Sequence, residues 1–509
     1  MRSRRFGWML AGCWIATCAM ASTEDADLAA LRKEFESYRQ ATEARIRALE
    51  EQLADRSPTA PESPGEPKTP VETPSEQAPD TAALSPEERA KIRELIDRAT
   101  LDFEFHGYLR SGYGVDDRGR TLSPFGAPYA GAKYRLGNES DTYLETTFLT
   151  RTAPELSGEA TFETTLTLAY STPNSDNNDY GSDVSLREVY AVAKNVTDYP
   201  MSFWAGQRYY SRYDVHMSDF YYRDMSGYGG GVSDIALGND FGKLSVAWLG
   251  GSIDDLDSDG RKLRYDQMNV NSLDTSLTDL PMPWGTLDAH FTLSYLKGGT
   301  IEDRSNHQQL EIEDGNGAAC SLMYKIPVRE TGKNVFCFQY GQGAAAAFRA
   351  TLTAPNGFEY VPGVNDSVDT KELVTWRLLD NVVFDLNEKW SLRAAVIAER
   401  RELGSKRFGR VHWYSAGIRP IYRFNRYFSL ATEAGYDYTD REDDASGRVF
   451  KLTVAPQITP NWSFLDRPSL RAYATYGWWS DAFGGEVAQP SYPTDRKGLS
   501  VGMQLESWW

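Results

Sequence analysis

Tyr427 to Tyr438 reads YFSLATEAGYDY. Phe428, Leu430, Thr432, Ala434, Tyr436 and Tyr438 fall on every second position, with Ser429, Ala431, Glu433, Gly435 and Asp437 between them. Side chains of an extended chain point alternately to opposite faces, so the stretch is a strand with one greasy and one wet face. The same alternation holds for Thr161 to Tyr170 and Ser469 to Tyr476, and helical periodicity is absent from Phe103 to the end of the chain. Turn signals such as Asn356-Gly357 and the short Asp385 to Lys389 separate the runs. The fold class is all-β.

A soluble sandwich alternates too, but it hides its apolar face. Its polar face would not need so many long Arg, Glu and Tyr, and its strands would not end in so many Tyr and Trp. Aromatic strand ends match the girdle of a membrane barrel. The last strand agrees. Val501, Met503, Leu505 and Trp509 share one face, while Gly502, Gln504, Glu506 and Trp508 share the other, so Trp508 points into the lumen. No segment past the N-terminus has ~20 consecutive apolar residues, which excludes a membrane helix there and leaves a membrane β-barrel open. The 509 residues carry a formal charge of −18 and no basic patch, which disfavours nucleic acid and acidic ligands as partners.

The N-terminal fifth reads differently. Residues 1–21 open with Arg2, Arg4 and Arg5, run uncharged from Phe6 and end Ala19-Met20-Ala21, a cleavable secretory signal. Leu10-Ala11-Gly12-Cys13 offers a lipoprotein cleavage site as the alternative, with a very short apolar run before it. In residues 22–56, Leu28, Leu31, Phe35, Tyr38, Thr42, Ile46, Leu49 and Leu53 form a helical seam that stutters near Thr42, the pattern of a short coiled coil. Pro58, Pro61, Pro64, Pro67 and Pro70 make 57–84 an extended spacer. Ser85-Pro86-Glu87-Glu88 starts a short helix within 85–102, leading into the barrel of 103–509. Cys320 and Cys337 flank the turn at Pro327 to Gly332, and read either as a cross-strand disulfide or as two small hydrophobic residues.

Trp204 to Gly227, WAGQRYYSRYDVHMSDFYYRDMSG, is the candidate functional stretch. Between Gly206 and Gly227 there is no glycine or proline, and Tyr209, Tyr210, Tyr213, Phe220, Tyr221 and Tyr222 are interleaved with three Arg and three Asp. Rings can stack on the apolar face of a sugar, and guanidinium and carboxylate groups make directional bonds to its hydroxyls. The other reading is a folded-in loop whose charges pair with each other and whose rings fill a core.

Several segments, in order, resemble those of the maltoporins and sucrose porins. They are Phe105-His106-Gly107-Tyr108-Leu109-Arg110-Ser111-Gly112, Lys133-Tyr134-Arg135-Leu136-Gly137-Asn138-Glu139, Trp204-Ala205-Gly206, Arg212-Tyr213-Asp214-Val215-His216-Met217, Asp219-Phe220-Tyr221-Tyr222, Gly417-Ile418-Arg419-Pro420 and the closing Trp508-Trp509. The resemblance implies a homotrimer of antiparallel barrels of about 18 strands in outer-membrane lipid, each with its third outer loop folded inward. The length suits this, at roughly 22 residues per strand and connection against the ~9 to 11 a span requires. It places Tyr108, Tyr143, Tyr180 and Trp508 on an aromatic slide for sugars and Tyr221 at the constriction. Arg110, Arg135, Glu145, Arg187, Arg212, Asp214 and Asp219 fall on the polar track that bonds sugar hydroxyls. Lys333 and Leu465 depart from the pattern, standing where the family has aromatics, and Ser140 replaces a loop cysteine. The N-terminal extension, expected in the periplasm, resembles that of the sucrose porins.

The function this implies is facilitated diffusion of oligosaccharides, maltose and maltodextrins first, with a sucrose or other disaccharide porin and a general diffusion porin as alternatives. No enzyme is expected. His106, His216, His290, His307 and His412 lie near no nucleophile motif and show no metal-ligand spacing, so no catalytic residue, metal or cofactor is assigned.

Overall fold

The computed structural model describes residues 102–152, 160–173, 183–238, 241–253, 263–265, 268–303, 308–350, 366–404, 409–442, 444–461 and 464–509. The expected signal, coiled coil, spacer and short helix, together with Tyr180 and the Asn356-Gly357 turn, lie outside the described residues.

Eighteen antiparallel strands pair each with the next along the chain, from Asp102–Asp116 to Lys497–Trp508. The last then pairs with the first, Tyr108 opposite Trp508 through Asp116 opposite Ser500. The ring is closed. In hydrocarbon an unpaired backbone group costs several kcal/mol, and closure leaves no edge to supply one.

The alternation read from the sequence is the alternation of the wall. In Phe428–Arg441, Ser429, Ala431, Glu433 and Asp437 are buried on the inner side while Phe428 and Tyr436 lie exposed outside. In Ser469–Trp479 the inner residues include Arg471 and Thr475, and the outer ones include Leu470, Tyr476 and Trp478. Met503, 72% exposed, faces outward as expected, and Gln504 and Glu506 are buried within. Outer rings cluster near strand ends, as in Tyr340 with Trp376 (centroids 4.4 Å apart) and Trp390 with Tyr422 (4.9 Å). Cys320 and Cys337 are both free. Tyr340 is the register partner of Cys320 and Met323 that of Cys337, and the alternation turns the two thiols to opposite faces of the wall.

Short connections such as 329–331 and 388–389 alternate with long ones at the other end. Two long ones fold into the lumen. The first is residues 117–140. Its Tyr134 lies on the inner wall over Gly417 and Gly435, where a Cβ on either would collide with the ring, and its hydroxyl bonds Ser415 at 2.9 Å. Asn138 ties the segment to itself, accepting from the Phe125 amide at 2.7 Å and donating to the Phe125 and Tyr134 carbonyls. Glu433, fully buried, accepts from the Leu136 amide (3.1 Å), Arg419 Nε (2.7 Å) and Lys451 (2.8 Å). The second is the hairpin Arg212–Val215 with Phe220–Asp224. Val215, Met217, Phe220 and Tyr222 pack on Met323, Cys337, Leu379, Ile397 and Trp413 of the wall. Each such buried apolar side chain contributes ~1.5–3 kcal/mol.

Removing one partner of a buried ion group strands the others without solvent. Glu433→Ala leaves Arg419 and Lys451 unpaired, at a cost of ~3–5 kcal/mol. The expected outcome is a lower temperature for the heat-modifiable shift on gels, together with a higher open-channel conductance as 117–140 loosens. Unchanged values of both would show that Glu433 does not anchor the segment.

Candidate functional site

The inward hairpin divides its residues by alternation. Tyr210, Phe220, Tyr222 and Arg223 are buried against the wall, while Tyr209, Arg212, Asp214, Asp219 and Tyr221 remain partly open. The folded-in reading therefore holds for the buried residues, and the others remain partly open. The buried half is tied down by polar bonds. Arg223, 1% exposed, pairs with Asp274 and donates to Ser211 at 2.9 Å, and Arg377 donates to the Tyr222 carbonyl at 2.8 Å.

On the open side, the Arg212 guanidinium is sandwiched between two rings, 4.1 Å from the centroid of Tyr209 and 4.0 Å from that of Tyr221. Such stacking fixes the plane of the guanidinium, whose Nε faces Asp224 at 3.6 Å. Tyr209 donates to Glu145 at 2.8 Å, and the Tyr143 hydroxyl bonds the same carboxylate oxygen. Hairpin and wall are thereby joined through a residue of the expected polar track.

Three of the expected slide residues come together. Tyr143 and Tyr108 have centroids 6.1 Å apart, and Tyr108 stacks with Trp508 at 6.5 Å and 17° between planes. They sit on three successive strands of the ring, because closure sets the last strand beside the first. Beside them, Arg110 makes a bidentate contact with Asp141 (3.2 and 2.7 Å) and reaches Asp219 at 3.4 Å. Arg135 donates to the Tyr108 hydroxyl at 2.7 Å and pairs with Glu139 at 2.8 Å and Glu506 at 3.3 Å. Asp219 adopts a φ of 54°, which turns the chain between the two arms of the hairpin and leaves its carboxylate 40% exposed.

Arg187 reaches the site by a register change. Thr167 pairs with Glu188 and Leu168 with Leu186, so Arg187 is the extra residue of a β-bulge. Bulges re-aim a side chain that strict alternation would send to the other face. Tyr180 lies outside the described residues. Lys333 stands at the short-turn end of its strand, and Leu465 is exposed in the connection before the Ser469–Trp479 strand. Among the described residues no ring replaces Leu465, and Trp462 lies outside them. Phe464 is buried in a cluster with Leu136, Ile421 and Tyr473, and the face of Trp508 is covered by Arg467, whose guanidinium carbon is 3.8 Å from the ring centroid.

Sequence reasoning missed Glu139, Glu506, Arg467 and Arg471 as parts of the site. Arg467 and Arg471 both pair with Glu506, at 2.7 and 3.0 Å. Glu506 could have been found from its place on the Trp508 face. Arg467 sits in a turn, where no alternation exists to place it.

Among solved structures the chain is similar to OccAB1 of Acinetobacter baumannii, at 13% identity over 80% of this chain and 97% of that one, with a TM-score of 0.42. It is likewise similar to the outer-membrane protein OpdK of Pseudomonas aeruginosa, at 11% identity over 80% and 99%, also with a TM-score of 0.42. Likenesses this distant say nothing of what passes through this chain. The model of the LamB porin family, in contrast, matches residues 103–509, the whole of the barrel. With its closed ring, inward hairpin and stacked rings, the chain belongs to the LamB porin family and is an outer-membrane porin.

Proposed function

We propose that the barrel is a homotrimeric channel for facilitated diffusion of oligosaccharides, maltose and maltodextrins first, with its N-terminal extension in the periplasm. The observation that carries this reading is the row of rings Tyr143, Tyr108 and Trp508, at 6.1 and 6.5 Å, beside Arg110 and Arg135. A sugar ring has an apolar face and an equatorial rim of hydroxyls. It can leave one aromatic for the next while guanidinium and carboxylate groups stand in for its water, each step weak enough to release. No bond is made or broken. Tyr180 is proposed as the first ring of the slide, Tyr221 as the wall of the narrowest point, and Arg187, Arg212, Asp214 and Asp219 as further polar partners. Reconstitution in a planar bilayer, with current block titrated by maltose, maltooligosaccharides and sucrose, tests the reading. Ion current that no sugar blocks would leave a general diffusion porin.

Tyr221 also holds Arg212 in its sandwich, so its removal acts twice. Tyr221→Ala should raise open-channel conductance and weaken maltooligosaccharide block. Arg212→Ala should weaken block by roughly tenfold, as expected for lost charge-assisted bonds of ~1.5–3 kcal/mol. Conductance unchanged by Tyr221→Ala would place the narrowest point elsewhere.

With Leu465 and Lys333 in place of rings, block should plateau early as the oligosaccharide lengthens. A stacking subsite adds ~0.5–1.5 kcal/mol beyond burial. Leu465→Trp combined with Lys333→Phe should therefore tighten block by maltohexaose by several fold and block by maltose much less. Equal tightening of both would show that the added rings do not extend the slide.

A further inference from the structure

At one of the two missing rings, Lys333, the replacement is basic. Lys333, Val383, Arg393 and Arg419 are successive register partners in a row across four neighbouring strands. The row lies on the inner face, the parity of buried Val335, Asn381 and Ala395. Arg419 is engaged with Glu433. Arg393 is not engaged. It is 6% exposed, its Nε has no hydrogen-bond partner, and among the described residues it makes no ion pair. The Phe464 ring lies 5.6 Å from its guanidinium carbon.

The acid that offsets Arg393 most is Asp214, on the open side of the inward hairpin, and it acts from beyond ion-pair distance. Asp214 has no hydrogen-bond donor and no ion pair among the described residues. Asn381, two residues from Val383 on the same strand, is buried with an unpartnered Oδ1. Lys333, exposed at the other end of the row, also makes no ion pair among the described residues. A buried guanidinium without a partner is costly, and a ligand that supplies one recovers that cost.

We propose that this row is a binding step for an oxyanion carried on a saccharide, a carboxylate or a phosphate ester, held between Lys333 and Arg393 below the constriction. The proposal rests on the reading of the lumen as a saccharide path and names the class of saccharide. Two strand spacings put the two Cα atoms about 10 Å apart, a gap that a Lys and an Arg side chain close from opposite sides of one anion. The planar guanidinium matches carboxylate and phosphate in a two-bond fork. Asn381 and Asp214 then accept from hydroxyls of the same or the neighbouring ring. The net charge of −18, which disfavours acidic ligands for the chain as a whole, is screened within ~8 Å at physiological salt, so the lumen groups set the local field and overturn that expectation at this row.

The test is block of channel current in a planar bilayer by maltotriose, trigalacturonate and maltose 1-phosphate. The expected result is block by an acidic sugar roughly tenfold tighter than by maltotriose, as for a gained charge-assisted bond. Either acid suffices, and the one that blocks identifies the oxyanion. Lys333→Gln and Arg393→Gln should each erase most of the difference, with maltotriose block changed by less than about twofold, and Arg393→Lys should keep part of it. Lys333 is exposed, so its variant reports even if Arg393→Gln does not fold. Acidic sugars that block no better than maltotriose, or substitutions that weaken all three alike, would overturn the proposal. Block by none of the three would overturn the saccharide path itself.

Discussion

Every feature of the site hangs on the pairing of the first strand with the last. The backbone of a spanning strand has no water to bond, so the sheet must close, and it closes with Tyr108 opposite Trp508. That one register brings rings some 400 residues apart in the chain to a 6.5 Å stack. It also sets Glu506 within reach of Arg135, so the polar partners of the slide come from the same closure. A slip by one residue would send both Trp508 and Glu506 to the lipid.

Closure alone makes a wide pore; the inward segments narrow it. Each segment combines apolar burial with buried polar bonds. The hairpin after Arg208 lays Val215, Met217, Phe220 and Tyr222 on an apolar patch of the inner wall, which explains why Met323, Cys337, Leu379 and Ile397 occupy positions that elsewhere on that face are polar. Segment 117–140 packs Leu122, Phe125, Tyr134 and Leu136 into the wall and adds hydrogen bonds to Glu433, Lys451, Thr453 and Thr475. Packed cores resist deformation, so the hairpin is a firm base for Arg212, Asp214 and Tyr221.

Much of this was legible in the chain because period-two alternation is a direct image of a two-sided wall. Phe428 to Tyr438 and Val501 to Trp509 name their faces without any tertiary information. Legibility stops where the period breaks. Arg187 occupies a bulge, and a single inserted residue reverses the face on which alternation would place it. Segment 117–140 has no period, and the glycine notches that seat its Tyr134, Gly417 and Gly435 on two neighbouring strands, lie hundreds of residues away in sequence. The two cysteines show the reverse case. Their equal distance from a turn admits a bridge, but their opposite parity forbids it.

Conduction requires that no step hold the solute long, and the way the charges are paired bears on that. Tyr108 is bonded by Arg135 and Glu506, Trp508 is covered by Arg467, and Glu506 is shared among Arg135, Arg467 and Arg471. A hydroxyl that binds here exchanges with bonds already made, so its net gain is nearer ~0.5–1.5 kcal/mol than the gross strength of a charge-assisted bond. The same pairs hold the rings in one orientation, so little side-chain entropy is lost when a sugar arrives. Asp214 and Arg393 break this rule, since neither has a bond to exchange. On the proposed reading an anionic solute reaching them exchanges no existing bond, so the proposed path is a run of shallow steps with one step whose depth depends on the charge of what arrives.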